Sequence, residues 1–85
     1  MAQRILVAAI DKPVEALRIA AGLTLADAAL QVVLWAPLPQ DEAVQSQLEA
    51  LAFADVPVDP LPATEPQRWL ELARRIVASD AVYCV

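Results

Sequence analysis

The sequence contains no histidine, one glycine and one cysteine. Without imidazole there is no Ser/His or Cys/His catalytic pair and no histidine-bearing zinc site. General acid–base work near neutral pH would then fall to a carboxylate or lysine with a displaced pKa. One glycine excludes a Rossmann-type dinucleotide loop and a P-loop, which need several so that backbone can approach phosphate. One cysteine forms no internal disulfide, which fits a reducing cytoplasm. Positive charge is also scarce: six Lys and Arg against eleven Asp and Glu give a net charge of −5. That balance repels phosphate backbones and anionic lipid, so neither nucleic acid nor a membrane surface is an expected partner. No apolar run reaches the about 18 residues of a transmembrane helix. The start Met1-Ala2-Gln3-Arg4 leads into a strand-like run with no signal-peptide cleavage pattern. Neither a metal nor a cofactor is expected.

What is present is apolar. The 85 residues are 59% hydrophobic, against a usual share of roughly 45–50%. This length makes one domain, residues 1–85, with a thin stability margin. Three helices and a few strands enclose little volume, so surplus apolar surface points to subunit contact and a homo-oligomer.

The pattern along the chain alternates strand and helix. Ile5–Ile10 is an unbroken apolar run, as expected of a parallel strand buried on both faces. Asp11 is placed to cap the next helix, which Pro13 opens and which the helix formers carry to about Ala28. Leu17, Ala20, Ala21, Thr24 and Ala28 form its stripe, and Gly22 in its middle suggests a close approach to a neighbour. Leu30–Ala36 reads as the second strand. A helix from Asp41 to about Ala54 buries Val44, Leu48 and Leu51. Val56-Pro57-Val58 is a weak edge strand, since proline removes a ladder bond. After a proline-rich loop, Thr64 and Pro66 start a helix that runs to about Ala78. Its core stripe is Trp69, Leu72, Ala73 and Ile76, and its wet side Arg68, Glu71, Arg74 and Arg75. Ala81–Val85 closes the chain as a strand. Crossovers longer than any hairpin imply an α/β fold with three layers, α/β/α: a short, mostly parallel four-stranded sheet and three helices.

The segment Pro-Val-Glu-Ala-Leu-Arg-Ile-Ala-Ala-Gly-Leu-Thr-Leu-Ala-Asp from Pro13, followed by Gln-Val-Val-Leu-Trp ending at Trp35, resembles the DsrE/DsrF/DsrH-like family. The ending Ser79-Asp80-Ala81-Val82-Tyr83-Cys84-Val85 is similar to the family's last strand. The resemblance covers most of the chain and rests on packing residues. It implies a three-layer fold of flavodoxin-like topology, assembly into dimers, trimers or hexamers, and a role in sulfur relay in which a cysteine carries a persulfide between partner proteins. Members that carry sulfur generally hold the cysteine before the last helix. The corresponding segment here, Val56 to Pro66, has none, and Cys84 lies in the terminal strand. A non-catalytic structural or regulatory subunit therefore stands beside the carrier.

Cys84 is the one conceivable sulfur nucleophile, weighed against a packed thiol acting as a small hydrophobe. Alternation places Cys84 with Val82 on one sheet face and Ala81, Tyr83 and Val85 on the other. Asp11, Lys12 and the Ala36-Pro37 turn follow strands, where open α/β sheets bind ligands, and they define a third option, a small-ligand crevice. Against that stand a helix cap and a solvated lysine. Asp41, Glu42 and Glu65 suit helix starts, and Trp35, at a strand end, is the expected subunit contact.

Overall fold

A computed structural model describes residues 3–25 and 28–85. Strands β1 (Gln3–Ala9), β2 (Ala28–Leu34), β3 (Val58–Pro60) and β4 (Ala81–Cys84) alternate with helices α1 (Pro13–Leu23), α2 (Glu42–Phe53) and α3 (Glu65–Val77). The sheet is parallel throughout, in the order β3-β2-β1-β4. In register, Ile5 of β1 faces Leu30 of β2 on one side and Ala81 of β4 on the other. The apolar runs near the two ends of the sequence are thus neighbouring parallel strands, with β1 interior and β4 at an edge.

The chain winds outward from β1 through β2 to β3 and then crosses back past β1 to β4. The flavodoxin order reverses after its second strand; here reversal follows the third. Because crossovers keep one hand, the two outward ones lie on one face of the sheet and the returning one on the other. Accordingly Ile5, Val7, Ala9, Leu30, Val32 and Leu34 pack beneath α1 and α2, with Ala16, Leu17, Ala20, Val44 and Leu51. Leu6, Ala8 and Val33 face the opposite way, toward Leu61 and toward Leu72 of α3. This two-sided burial is what the continuous apolar run of β1 encodes. It leaves four strands covered by two helices on one face and by one helix on the other.

Local chemistry sets most element ends. Asp41 accepts a hydrogen bond from the Val44 backbone N–H at 2.9 Å and caps α2. The far end of α2 closes with Val56 N–H donating to the Leu51 carbonyl and Asp55 N–H to the Ala52 carbonyl, a Schellman motif that sets Asp55 at φ 60°. α3 begins after Thr64 with proline in its first turn. Asp80 binds Arg4 twice, accepting the Arg4 N–H on Oδ2 and donating its own N–H to the Arg4 carbonyl, each at 2.8 Å, which seats β4 beside β1.

Several expectations are corrected. α1 stops at Leu23, not near Ala28: the Thr24 hydroxyl donates to the Ala21 carbonyl at 2.6 Å in a terminal turn, and Ala28 already belongs to β2. Ala26 and Asp27, which that longer helix included, lie outside the described residues, as do Met1 and Ala2. Gly22 makes no close approach, since a Cβ there would meet nothing within 4 Å. Asp11 caps nothing; Lys12 holds the cap position of α1 without a side-chain bond. β3 forms at Val58–Pro60, slightly later than Val56–Val58, with Pro57 reduced to a carbonyl acceptor for the Val32 N–H at 2.9 Å. On α3, Leu72 is buried but Trp69 and Ile76 are exposed, because a single helix buries only its lowest stripe against the sheet.

Candidate functional site

Parallel strands direct the chain into loops at one end of the sheet, the usual place for a site in open α/β folds. At the ends of β1 and β4, the backbone N–H groups of Ile10, Asp11 and Lys12 all donate to the Val85 carbonyl, at 2.9, 2.9 and 3.2 Å. The Val85 N–H donates back to the Ala8 carbonyl at 2.9 Å. These contacts satisfy amides that precede α1, and the side chains of Asp11 and Lys12 stay in solvent.

Cys84 ends β4 opposite Ala8. Ala8 belongs to the α3 side of the sheet, so strand alternation holds: Cys84 and Val82 share that side, and Ala81 and Val85 pack toward α1 and α2. Val82 is half-buried against the core, whereas Cys84 is exposed as a free thiol. It is not the packed hydrophobe that cysteine commonly is.

Helix α3, on the same side of the sheet, has an uncovered apolar surface. Arg75 on one side of α3 reaches over β2 and β3, donating to Gln31 at 2.8 Å and Asp59 at 3.3 Å. Away from that side α3 carries exposed apolar residues, Leu70, Ala73 and Val77, with Trp69 near the helix start. Trp69 is 56% exposed, Leu70 65% and Val77 86%. A shallow hollow of about 530 Å³ runs along the helix between Leu70, Ala73 and Val77 and the charged Glu71, Arg74 and Arg75.

Arg75 was expected on the wet side. It is instead half-buried, its Nε bonded to Glu71 at 2.8 Å while Nη1 reaches the sheet. The Arg75 hydrogen bond holds the Glu71 carboxyl below the ordinary glutamate range, and Glu71 raises Arg75 in turn. The same pairing on α1 lowers Glu15 and raises Arg18.

Past the ends of β2 and β3, Trp35, Pro37, Pro60, Pro62 and Arg68 enclose a cleft of about 320 Å³. Trp35 is half-buried and meets Trp69 edge to face, with ring centroids 4.6 Å apart. Of the expected crevice residues, Pro37 lines this cleft; Asp11 and Lys12 belong to the neighbouring β1 end and do not. Sequence reasoning missed Arg68, whose position among wet-side residues gave no sign that it would lie over Trp35. Among the described residues no three His, Cys, Asp or Glu side chains gather as a metal site, and no helix is long and apolar enough to cross a membrane.

The arrangement offers an accessible thiol, an exposed apolar surface on α3 and a cation-bearing cleft. No protein-family model, curated protein or solved structure matches this chain.

Proposed function

We propose that the chain is a small homo-oligomeric subunit of the DsrE/DsrF/DsrH-like kind, acting through protein contact in an intracellular sulfur relay with Cys84 as the carrier. The observation behind the sulfur reading is the exposure of Cys84 at the loop end of the sheet. An accessible thiol can meet a partner's persulfide; a buried one cannot. In that step the Cys84 thiolate attacks the outer sulfur of a donor persulfide, a new S–S bond forms at Cys84, and the donor's S–S bond breaks to release its thiolate. Nothing is oxidised or reduced overall.

The test is chemical. Folded protein treated with iodoacetamide should be alkylated at Cys84 as fast as unfolded protein, within about threefold. In a separate sample that has not been alkylated, incubation with a persulfide donor should add one sulfur atom by mass spectrometry, and Cys84→Ser should add none. Alkylation that requires denaturant, or a donor that leaves Cys84 unmodified, would sink the carrier reading.

The competing reading, a structural or regulatory subunit without chemistry, draws on a different observation. The apolar flank of α3 suits protein contact whatever Cys84 does. It predicts an oligomer that Cys84→Ser leaves intact and unimpaired in partner binding.

A further inference from the structure

Arg68 stands apart from the other arginines. Arg4, Arg18, Arg74 and Arg75 each have a carboxylate within ion-pair distance, and among the described residues Arg68 has none. Neutral groups hold it instead. Its Nε donates to the Pro62 carbonyl at 3.2 Å and its Nη2 to the Ala63 carbonyl at 2.8 Å. Its Cζ lies 4.7 Å from the centre of the Trp35 ring, within cation–π range. A guanidinium has five N–H donors, and those two bonds leave Nη1 and the rest of Nη2 without a protein acceptor among the described residues.

The surroundings make this cation more than a loop strut. The cleft it borders is walled by Trp35, Leu61 and prolines, and no acidic residue lines it, although the protein as a whole is acidic. Apolar walls strengthen any charge pairing inside them. Two backbone carbonyls and an aromatic face fix the guanidinium in place, so little rotamer freedom remains to be lost on binding. The cleft opens where parallel strands end, and its volume is at the low end of the roughly 300–1,000 Å³ typical of small-molecule sites.

We infer that this cleft binds a small organic anion: a carboxylate at Arg68 carried on an apolar, ring-sized body that lies against Trp35 and the prolines. The inference is independent of Cys84 and of the relay. Benzoate is the probe, with benzamide as its uncharged counterpart and inorganic phosphate as the anion without a ring. Followed by amide and indole N–H resonances, benzoate should shift Trp35, Ala63 and Arg68 saturably at millimolar concentration. Benzamide and phosphate should each bind at least fivefold more weakly. Arg68→Gln should abolish the benzoate shifts. Because that variant also loosens the loop, Ala36→Glu is the second test: it leaves the Arg68 clamp intact, sets a carboxylate at the cleft, and should weaken benzoate at least fivefold. Absence of saturable shifts, equal binding of benzamide or phosphate, or wild-type benzoate binding by Ala36→Glu would each overturn the inference.

Discussion

Asp55 adopts a left-handed backbone at φ 60°, a conformation usually given to glycine, because the Schellman closure of α2 requires it there. Aspartate tolerates this region better than most residues, yet its Cβ still costs free energy. Asp55→Gly should therefore raise stability by about 0.5–1 kcal/mol in urea titrations, and Asp55→Val should lower it. A drop in stability for Asp55→Gly would show that the aspartate side chain contributes more than its backbone strain costs. The turn was hard to see in the sequence because its usual marker is missing. Asp41 shows the opposite case: residue type alone marked the helix start there, and its carboxylate caps α2. Asp11 looked equivalent and is not. Its own amide and those of Ile10 and Lys12 bond to Val85, a contact between distant segments that moves the helix start to Lys12 and that no local pattern announces. The exposure of Cys84 was equally hidden, since it depends on how far across the sheet α3 reaches.

At the scale of elements, α3 is held by little. Among the described residues Leu72 is the one buried side chain along its length, supplemented by the Arg75 bonds to Gln31 and Asp59. Leu72→Ala should cost about 2–4 kcal/mol, measured by chemical denaturation, and amide exchange should rise first within α3. Uniform exchange across all elements would refute the idea that α3 detaches first. Glu71 links this helix to pH. Its folded pKa is depressed by Arg75, so the stability it contributes is present above the unfolded pKa and is lost as pH falls through the lower folded value. Thermal midpoints should fall on acidification from about pH 5 to pH 3, and the fall should be smaller in Glu71→Gln. Because the pair is solvent-accessible, the effect should shrink in high salt. An identical acid profile in the variant would remove Glu71 from the account. The amphipathic character of α3 was legible in the spacing of Trp69, Leu72 and Ile76. How much of that face is covered was not, since coverage depends on the ratio of helices to strands on each side. The early end of α1 was also obscured, because Thr24 and the alanines after it are compatible with continuing the helix.

For the whole molecule, the α/β class and parallel pairing followed from the alternation of apolar runs with helical patterns and from crossovers too long for hairpins. The position of the reversal did not, because either order satisfies the same element sequence. That reversal leaves α3 alone on its face, with Leu70 and Val77 in solvent. If this flank is a subunit contact, light scattering at micromolar concentration should give an oligomer, and Leu70→Glu with Val77→Glu should give a folded monomer. Substitutions at positions so open cost a lone protomer little, within about 0.5 kcal/mol each. A wild-type monomer would end the oligomer proposal.

The two margins of the sheet differ in a way that bears on how large such an assembly can become. β3 carries Pro60 and follows Pro57, residues that cannot supply ladder donors, whereas β4, Ala-Val-Tyr-Cys, has neither proline nor charge. A protomer therefore offers one adhesive rim and one inert rim. Two copies joined rim to rim about a dyad would consume both open rims and turn only the proline-bearing rims outward, so growth in the hydrogen-bonding direction of the sheet would stop at a pair.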